Sequence, residues 1–170
     1  HKTFKPNLSY AAVKTELAAR NVDTDQLTAA LLREIIIEIR NAKLPDPQKI
    51  GNAGSFFINP VVPQTHFERL RAVYPSIPHY LLPNGVKIPA AWLIETAGWK
   101  GKALGQAGVY AQQALILVNL GHAKGQDIKH LAVAIQQSVK EKFDISLKPK
   151  FFLSKQSRCI SFIVGVIKKP

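Results

Sequence analysis

Between Leu27 and Arg40 the apolar residues Leu27, Leu31, Ile35 and Ile39 recur every four positions, a spacing that lines one face of an α-helix. Thr24 is placed to cap its start and Asp25 to favour its positive end. The run Ile35-Ile36-Ile37 is β-branched, but it prolongs the stripe and is read as helix. A longer stripe, Ile128, Leu131, Ala132, Ile135, Val139 and Phe143, follows a turn at Gly121 to Gly125. It has Asp127 in its first turn and Lys140 and Lys142 in its last, the arrangement that complements a helix dipole. Pro63 and Pro89 open two further helices: the first presents Phe67, Leu70, Val73 and Tyr74, and the second runs from Ala90 to Ala97 with Gly98 as its stop. Leu8 to Arg20 is irregular and predicts a turn or a short helix.

Strand signals alternate with these helices. Phe56-Phe57-Ile58, Val86-Lys87-Ile88, Ala114 to Leu120 and Ile145 to Leu153 have strand length and content, and Asn84-Gly85 is a hairpin turn pair. Gly51 to Ser55 and the double-proline stretch Lys43 to Pro47 read as turns or extended loop, and Pro75, Pro78 and Pro83 keep their surroundings irregular. Without regular βαβ repetition, the expected class is α+β, with helices packed on a small, mostly antiparallel sheet.

The 170 residues suit one domain, or a domain with an appendage. With 46% hydrophobic and 20% charged residues, the chain can bury a core. Charge complicates this ordinary picture. The net charge is +12, which raises nucleic acid, an anionic membrane surface or a phosphorylated ligand as a partner. Half of that excess follows the last acidic residue, Asp144, as Lys148, Lys150, Lys155, Arg158, Lys168 and Lys169. The remainder is spread without a run of like charge, which weakens the case for a polyanion-binding face. Cys159 is the single cysteine, which excludes an internal disulfide or a cysteine zinc cluster and points to a reducing, cytoplasmic setting. The start, His1-Lys2-Thr3-Phe4, has neither a signal peptide nor an anchor pattern. The longest apolar stretch, Cys159 to Ile167, reads as a strand and is far shorter than the ~20 residues of a membrane span.

No dinucleotide or P-loop glycine motif, H-x-x-x-H pair or G-x-S-x-G elbow occurs. What remains is the segment Lys43 to Asn59, where a lysine, glycines, asparagine and serine precede an apolar run. Glycine lets the backbone approach a ligand, serine can donate a proton, and lysine offers charge to phosphate. On chemistry alone, a turn serine, a solvated lysine and turn glycines explain these residues more simply.

The order of the motifs adds a second kind of information. Lys43-Leu44-Pro45-Asp46-Pro47, Gly51-Asn52-Ala53-Gly54-Ser55-Phe56-Phe57 and Asn59-Pro60-Val61-Val62 resemble the substrate-binding domain of the UDP-N-acetylenolpyruvoylglucosamine reductase family. The resemblance continues through Ala90 to Ile94, Ala97 to Gly101, Gln112 to Leu115 and Gly125 to Ile128. It implies that residues 1–42 connect to a preceding FAD-binding region, that 43–150 form the substrate-binding domain, and that 151–170 are a divergent basic and apolar tail.

It also implies a flavoenzyme of peptidoglycan synthesis in which NADPH reduces FAD and UDP-N-acetylglucosamine enolpyruvate becomes UDP-N-acetylmuramate. FAD would sit in domains N-terminal to the resemblance, and this chain alone would be inactive. By motif position, Ser55 is the expected proton donor, and Lys43, Gly54 and Asn59 are expected at the substrate. Tyr80, Lys87, Lys100 and Gln113 match positions around the nucleotide end. Each keeps a plain alternative, as a partly buried aromatic, two surface charges and a loop amide. Trp92, Phe56 and Phe57 are expected in the core. The family's L-E-P-E reads Leu147-Lys148-Pro149-Lys150 here, so Lys150 stands where the family places a catalytic glutamate, and a cation cannot supply that acid's proton. The resemblance implies neither a nucleic-acid nor a membrane partner. A small basic nucleic-acid-binding module remains the alternative on charge, and a fragment with no ligand is a third possibility.

Overall fold

A computed structural model describes residues 4–150, and the expectations that fall on 151–170, including a strand at Cys159 to Ile167, lie outside them. The chain divides into two compact units between Leu44 and Pro45.

In the first unit, Leu8 to Arg20 settles as helix α1, Ala11–Ala19. Thr24 does not cap the next helix. It lies in a 3-10 turn, Thr24–Gln26, whose own cap is Asp23, and α2 begins later, at Ala29–Lys43. There the Thr28 hydroxyl accepts the Leu31 N–H at 3.2 Å. The regular spacing of Leu27 concealed this break, because Leu27 is buried with Val13, Leu17 and Ile35 although it precedes the helix. Of the isoleucine run, Ile35 is buried while Ile36 and Ile37 are exposed, as a helical stripe requires. Arg20 bridges Glu16 and Glu38. These two hydrogen-bonded carboxylates hold its pKa above the ordinary value.

The second unit has α+β architecture with two sheets in place of the single one expected, and every strand pairing is antiparallel. β1 (Asn52–Ser55), β5 (Ala103–Leu104), β6 (Ala107–Val109) and β7 (Ile116–Asn119) form a four-stranded sheet in the order β1-β7-β6-β5. β2 (Val61–Val62), β3 (Tyr80–Leu82) and β4 (Gly85–Lys87) form a three-stranded sheet in the order β2-β4-β3. Helices α3 (Gln64–Val73), α4 (Ala90–Thr96) and α5 (Gly125–Phe143) follow Pro63, Pro89 and Lys124.

One continuous core joins both sheets to these helices, with Phe56, Phe67, Val86, Leu93, Leu117 and Leu131 within it. Phe57 is buried as well, and Trp92 is half-buried against Tyr74 and Phe143, with ring centroids 5.5 Å and 5.7 Å away. Asn84-Gly85 does turn a hairpin, but its first arm is β3, in a stretch expected to be irregular. At Gly85 an added Cβ would meet the Val62 carbonyl oxygen at 2.6 Å. The neighbouring strand therefore excludes a side chain at this position.

Two strand assignments are corrected. The first strand is the glycine-containing stretch Asn52–Ser55 and not Phe56–Ile58. The latter makes a single bridge, Phe57 to Pro149. Within the described residues, Ile145 to Lys148 is not a strand, and this segment pairs through the single Phe57–Pro149 bridge, flanked by the Ile58 N–H to the Lys148 carbonyl and the Lys150 N–H to the Phe56 carbonyl.

The dipole-complementary ends of α5 form as the sequence suggests. The Asp127 carboxylate accepts the Lys124 N–H at 2.7 Å at the start of α5, while the Lys142 ammonium in its last turn donates to the Thr96 carbonyl at the end of α4 at 2.6 Å. Asp144 closes the helix in a left-handed conformation and pairs with Lys140, whose hydrogen bond holds its carboxyl below the ordinary 3.8.

Two outcomes follow for thermal melts. Thr28→Ala should cost about 1 kcal/mol of stability, the usual value of an N-cap, with Thr24→Ala costing less. The depressed Asp144 pKa contributes stability above its unfolded value that is lost as pH falls through the folded one. Asp144→Asn should therefore flatten the fall in melting temperature below 3.8 relative to the unsubstituted chain.

Candidate functional site

The sequence-predicted residues fall into two groups in the second unit, with two outliers. The first group lies where β1 leaves the four-stranded sheet. Asn52 stands opposite Val118 and Ser55 opposite Ile116, so β1 contains one residue more than β7 between the two pairs. This is a β-bulge. Gly54 occupies it with φ +59°, a left-handed conformation that glycine adopts without steric cost. Ser55 is half-buried at its end.

Immediately beyond, the Phe56 N–H donates to the Leu115 carbonyl at 2.8 Å, and the Lys150 N–H donates to the Phe56 carbonyl at 2.9 Å. The Leu115 N–H in turn meets the Gln113 side-chain oxygen at 3.4 Å. Backbone pairing thus brings the segments carrying Ser55, Gln113 and Lys150 together from positions far apart in sequence. Lys150 has an exposed side chain. It contributes positive charge to this end of the sheet, where a glutamate would contribute negative charge or a proton.

The second group lies on the three-stranded sheet. Tyr80 and Lys87 are cross-strand partners, and the Lys87 ammonium lies 5.2 Å from the Tyr80 ring centroid, a cation-π contact. Tyr80 is 59% exposed, so a ring face and a cation are presented together to solvent. Val61 pairs with the other side of Lys87.

Asn59 precedes β2, and its side-chain oxygen accepts the Ala90 N–H at 2.9 Å. It thereby satisfies a free amide at the start of α4, which Pro89 cannot cap with a side chain. Among the described residues the Asn59 Nδ2 group makes no hydrogen bond, and it is open to another partner. The sequence carried no signal of this contact, since the two residues meet only through tertiary packing.

Lys100 lies apart and forms an ion pair with Glu95 at 2.7 Å. Lys43 ends α2 of the first unit, its ammonium 5.8 Å from the Tyr10 ring centroid. A cavity of about 310 Å³ opens at the far end of the β1–β7 pair, lined by Lys49, Ile50, Gly51, Asn119, Leu120 and Gly121. None of the predicted site residues lines it. Its asparagine is already occupied, with its oxygen accepting from Gly121 and Ala123 and its nitrogen donating to the Ala123 carbonyl. Among the described residues no cluster of histidine, cysteine or acidic side chains could hold a metal ion, and no helix is long and apolar enough to cross a membrane.

An α+β domain of this sequence has counterparts among proteins named as reductases. Residues 46–152 match the family described as "UDP-N-acetylenolpyruvoylglucosamine reductase, C-terminal domain", and the chain belongs to that family. It is 48% identical over 150 residues to the UDP-N-acetylenolpyruvoylglucosamine reductase of Burkholderia multivorans, covering 88% of this chain and 43% of that protein. The proteins of the same name from Dechloromonas aromatica and an Azoarcus species are 48% and 52% identical over 150 residues. Each match covers 88% of this chain, and 44% and 43% of those relatives. The chain thus spans less than half the length of the relatives it matches.

Asn59→Ala should lower stability by about 1 kcal/mol, since it leaves a helix-start amide without its acceptor. Asn59→Asp, which keeps an oxygen there, should recover most of that loss in denaturant titration.

Proposed function

We propose that this chain is the substrate-binding, C-terminal part of a reductase that converts UDP-N-acetylglucosamine enolpyruvate to UDP-N-acetylmuramate in cytoplasmic peptidoglycan precursor synthesis. The observation that supports this reading most is the half-buried Ser55 at the end of the Gly54 bulge, within the matched family segment. FAD, reduced by NADPH, would supply the hydride. The family resemblance assigns FAD to the part of such a reductase outside the matched segment, and the chain by itself would bind but not turn over.

The chain's own residues have distinct tasks in this reading. Addition of hydride to an enolpyruvyl double bond leaves carbanion character beside the carboxylate, and the Ser55 hydroxyl donates the proton that quenches it. Gly54, lacking a side chain, lets substrate approach the backbone beside that hydroxyl. Lys150 holds positive charge near the same end of the sheet and can pair with a carboxylate, but it does not replace an acid. Tyr80 offers a face on which uracil can stack, and Lys87 offers a point charge to the diphosphate. Gln113 and the free Nδ2 of Asn59 supply amide hydrogen bonds. Lys43 and Lys100 are assigned to the diphosphate and nucleotide by motif position, and Lys100 would have to exchange its Glu95 partner to serve there.

Isothermal titration of the purified chain with UDP-N-acetylglucosamine tests this reading. Binding is expected, with Lys87→Ala weakening it about tenfold, as loss of one charge-assisted contact implies. Tyr80→Ala and Lys43→Ala should weaken it as well. The purified chain should lack flavin absorption. A tightly bound yellow cofactor would contradict the division of labour proposed here. Absence of nucleotide-sugar binding, together with DNA affinity that falls with salt at a log-log slope of about −0.9 per neutralised phosphate, would favour the nucleic-acid alternative.

A further inference from the structure

The bulge that carries Ser55 has a specific side-chain support. The Asn52 side-chain oxygen accepts the Gly54 N–H at 3.0 Å, forming a small ring across the extra residue that an Asx turn closes. Asn52 and Ser55 flank the bulge and stand opposite Val118 and Ile116, which lie two residues apart and so share one face of the sheet. Phe56 follows on the opposite face, fully buried.

If the same residues paired in unbroken register from Asn52 and Val118, Ser55 would stand opposite Leu115, and a one-residue slip exchanges the faces of every side chain that follows. Ser55 would then occupy the core position of Phe56. Space does not dictate glycine at position 54, since an added Cβ there would meet nothing within 4 Å. What the position requires is the left-handed backbone, which the Asn52 hydrogen bond holds in place.

We infer that Asn52 is a positioning residue for Ser55: its side-chain oxygen locks the Gly54 bulge, and the bulge sets the face from which the serine hydroxyl meets substrate. The catalytic consequence rests on the proton-donor role proposed for Ser55, whereas the structural one does not. A misplacement of about 1 Å in a reacting group can cost about a hundredfold in rate, so a single hydrogen bond beside the serine can govern turnover without touching substrate.

Two measurements on the same variants separate these levels. In the full chain, amide hydrogen exchange at Gly54 should be about fivefold faster in Asn52→Ala, the effect of losing a hydrogen bond worth ~1 kcal/mol. Asn52→Asp, which keeps the acceptor, should restore it. Asn52→Gln, polar but one carbon too long for the ring, should behave like the alanine variant and serves if alanine prevents folding. Unchanged Gly54 exchange in both Asn52→Ala and Asn52→Gln would overturn the inference.

In the chain joined to the flavin-binding part of a relative, Asn52→Ala should lower kcat about ten- to a hundredfold with KM held within about twofold. Asn52→Asp should recover the rate, and Asn52→Ala should add little to Ser55→Ala, as expected for residues acting as a unit. Normal turnover in Asn52→Ala alongside impaired turnover in Ser55→Ala would also overturn it. Full turnover in Ser55→Ala, or none in the joined protein, would count against the reductase reading, and Gly54 exchange would then decide the inference by itself.

Discussion

A single extra residue between Asn52 and Ser55 sets the register in which the chain leaves β1. It places Phe56 in the core and leaves Ser55 half-buried. The same offset carries the chain into the Phe57–Pro149 bridge, so the segment after α5 returns alongside Phe56 to Ile58. Burial of Phe56 and Phe57 stabilises the register, because removing a buried phenylalanine typically costs about 3–5 kcal/mol. Packing and the proposed chemistry therefore share one cause. A shift that spoiled the serine would also bring an aromatic ring out of the core.

Positive charge, the least ordinary feature of the composition, is distributed in the structure by local pairing. Lys87 lies over Tyr80, Lys100 pairs with Glu95, Lys140 pairs with Asp144, and Lys142 meets the end of α4. Such contacts at a surface are individually weak and readily exchanged, so a lysine bound this way can still turn to an incoming phosphate. Lys150 is held beside Phe56 by backbone pairing. Its charge is opposite in sign to that of the glutamate that the family resemblance implies at this position.

Much of the helical structure was legible from spacing. The stripe from Ile128 to Phe143 and the proline-led starts of α3 and α4 form where periodicity and capping rules put them, because these are local effects of a few consecutive residues. The sheets were harder to read. β5 and β6 carry no strong strand signal and form only because β6 pairs with β7. At β1, the glycine that reads as a turn in sequence is a bulge in the structure, and local propensity cannot distinguish the two without the partner strand. The Thr28 cap was hidden by a hydrophobic residue that is buried without being helical.

For the candidate site, sequence by itself determined the chemical groups and their order: a serine among glycines, lysines for phosphate, an aromatic ring and amides, in the pattern of one reductase family. It could not determine their faces or neighbours. Tertiary structure decided that Tyr80 and Lys87 form a pair, that Asn59 spends its oxygen on α4, and that Ser55 and Lys150 lie on adjoining segments. The reason is that strand register is a property of two segments together. Residues far apart in sequence acquire a common face only when hydrogen bonding and burial have fixed which residue stands opposite which.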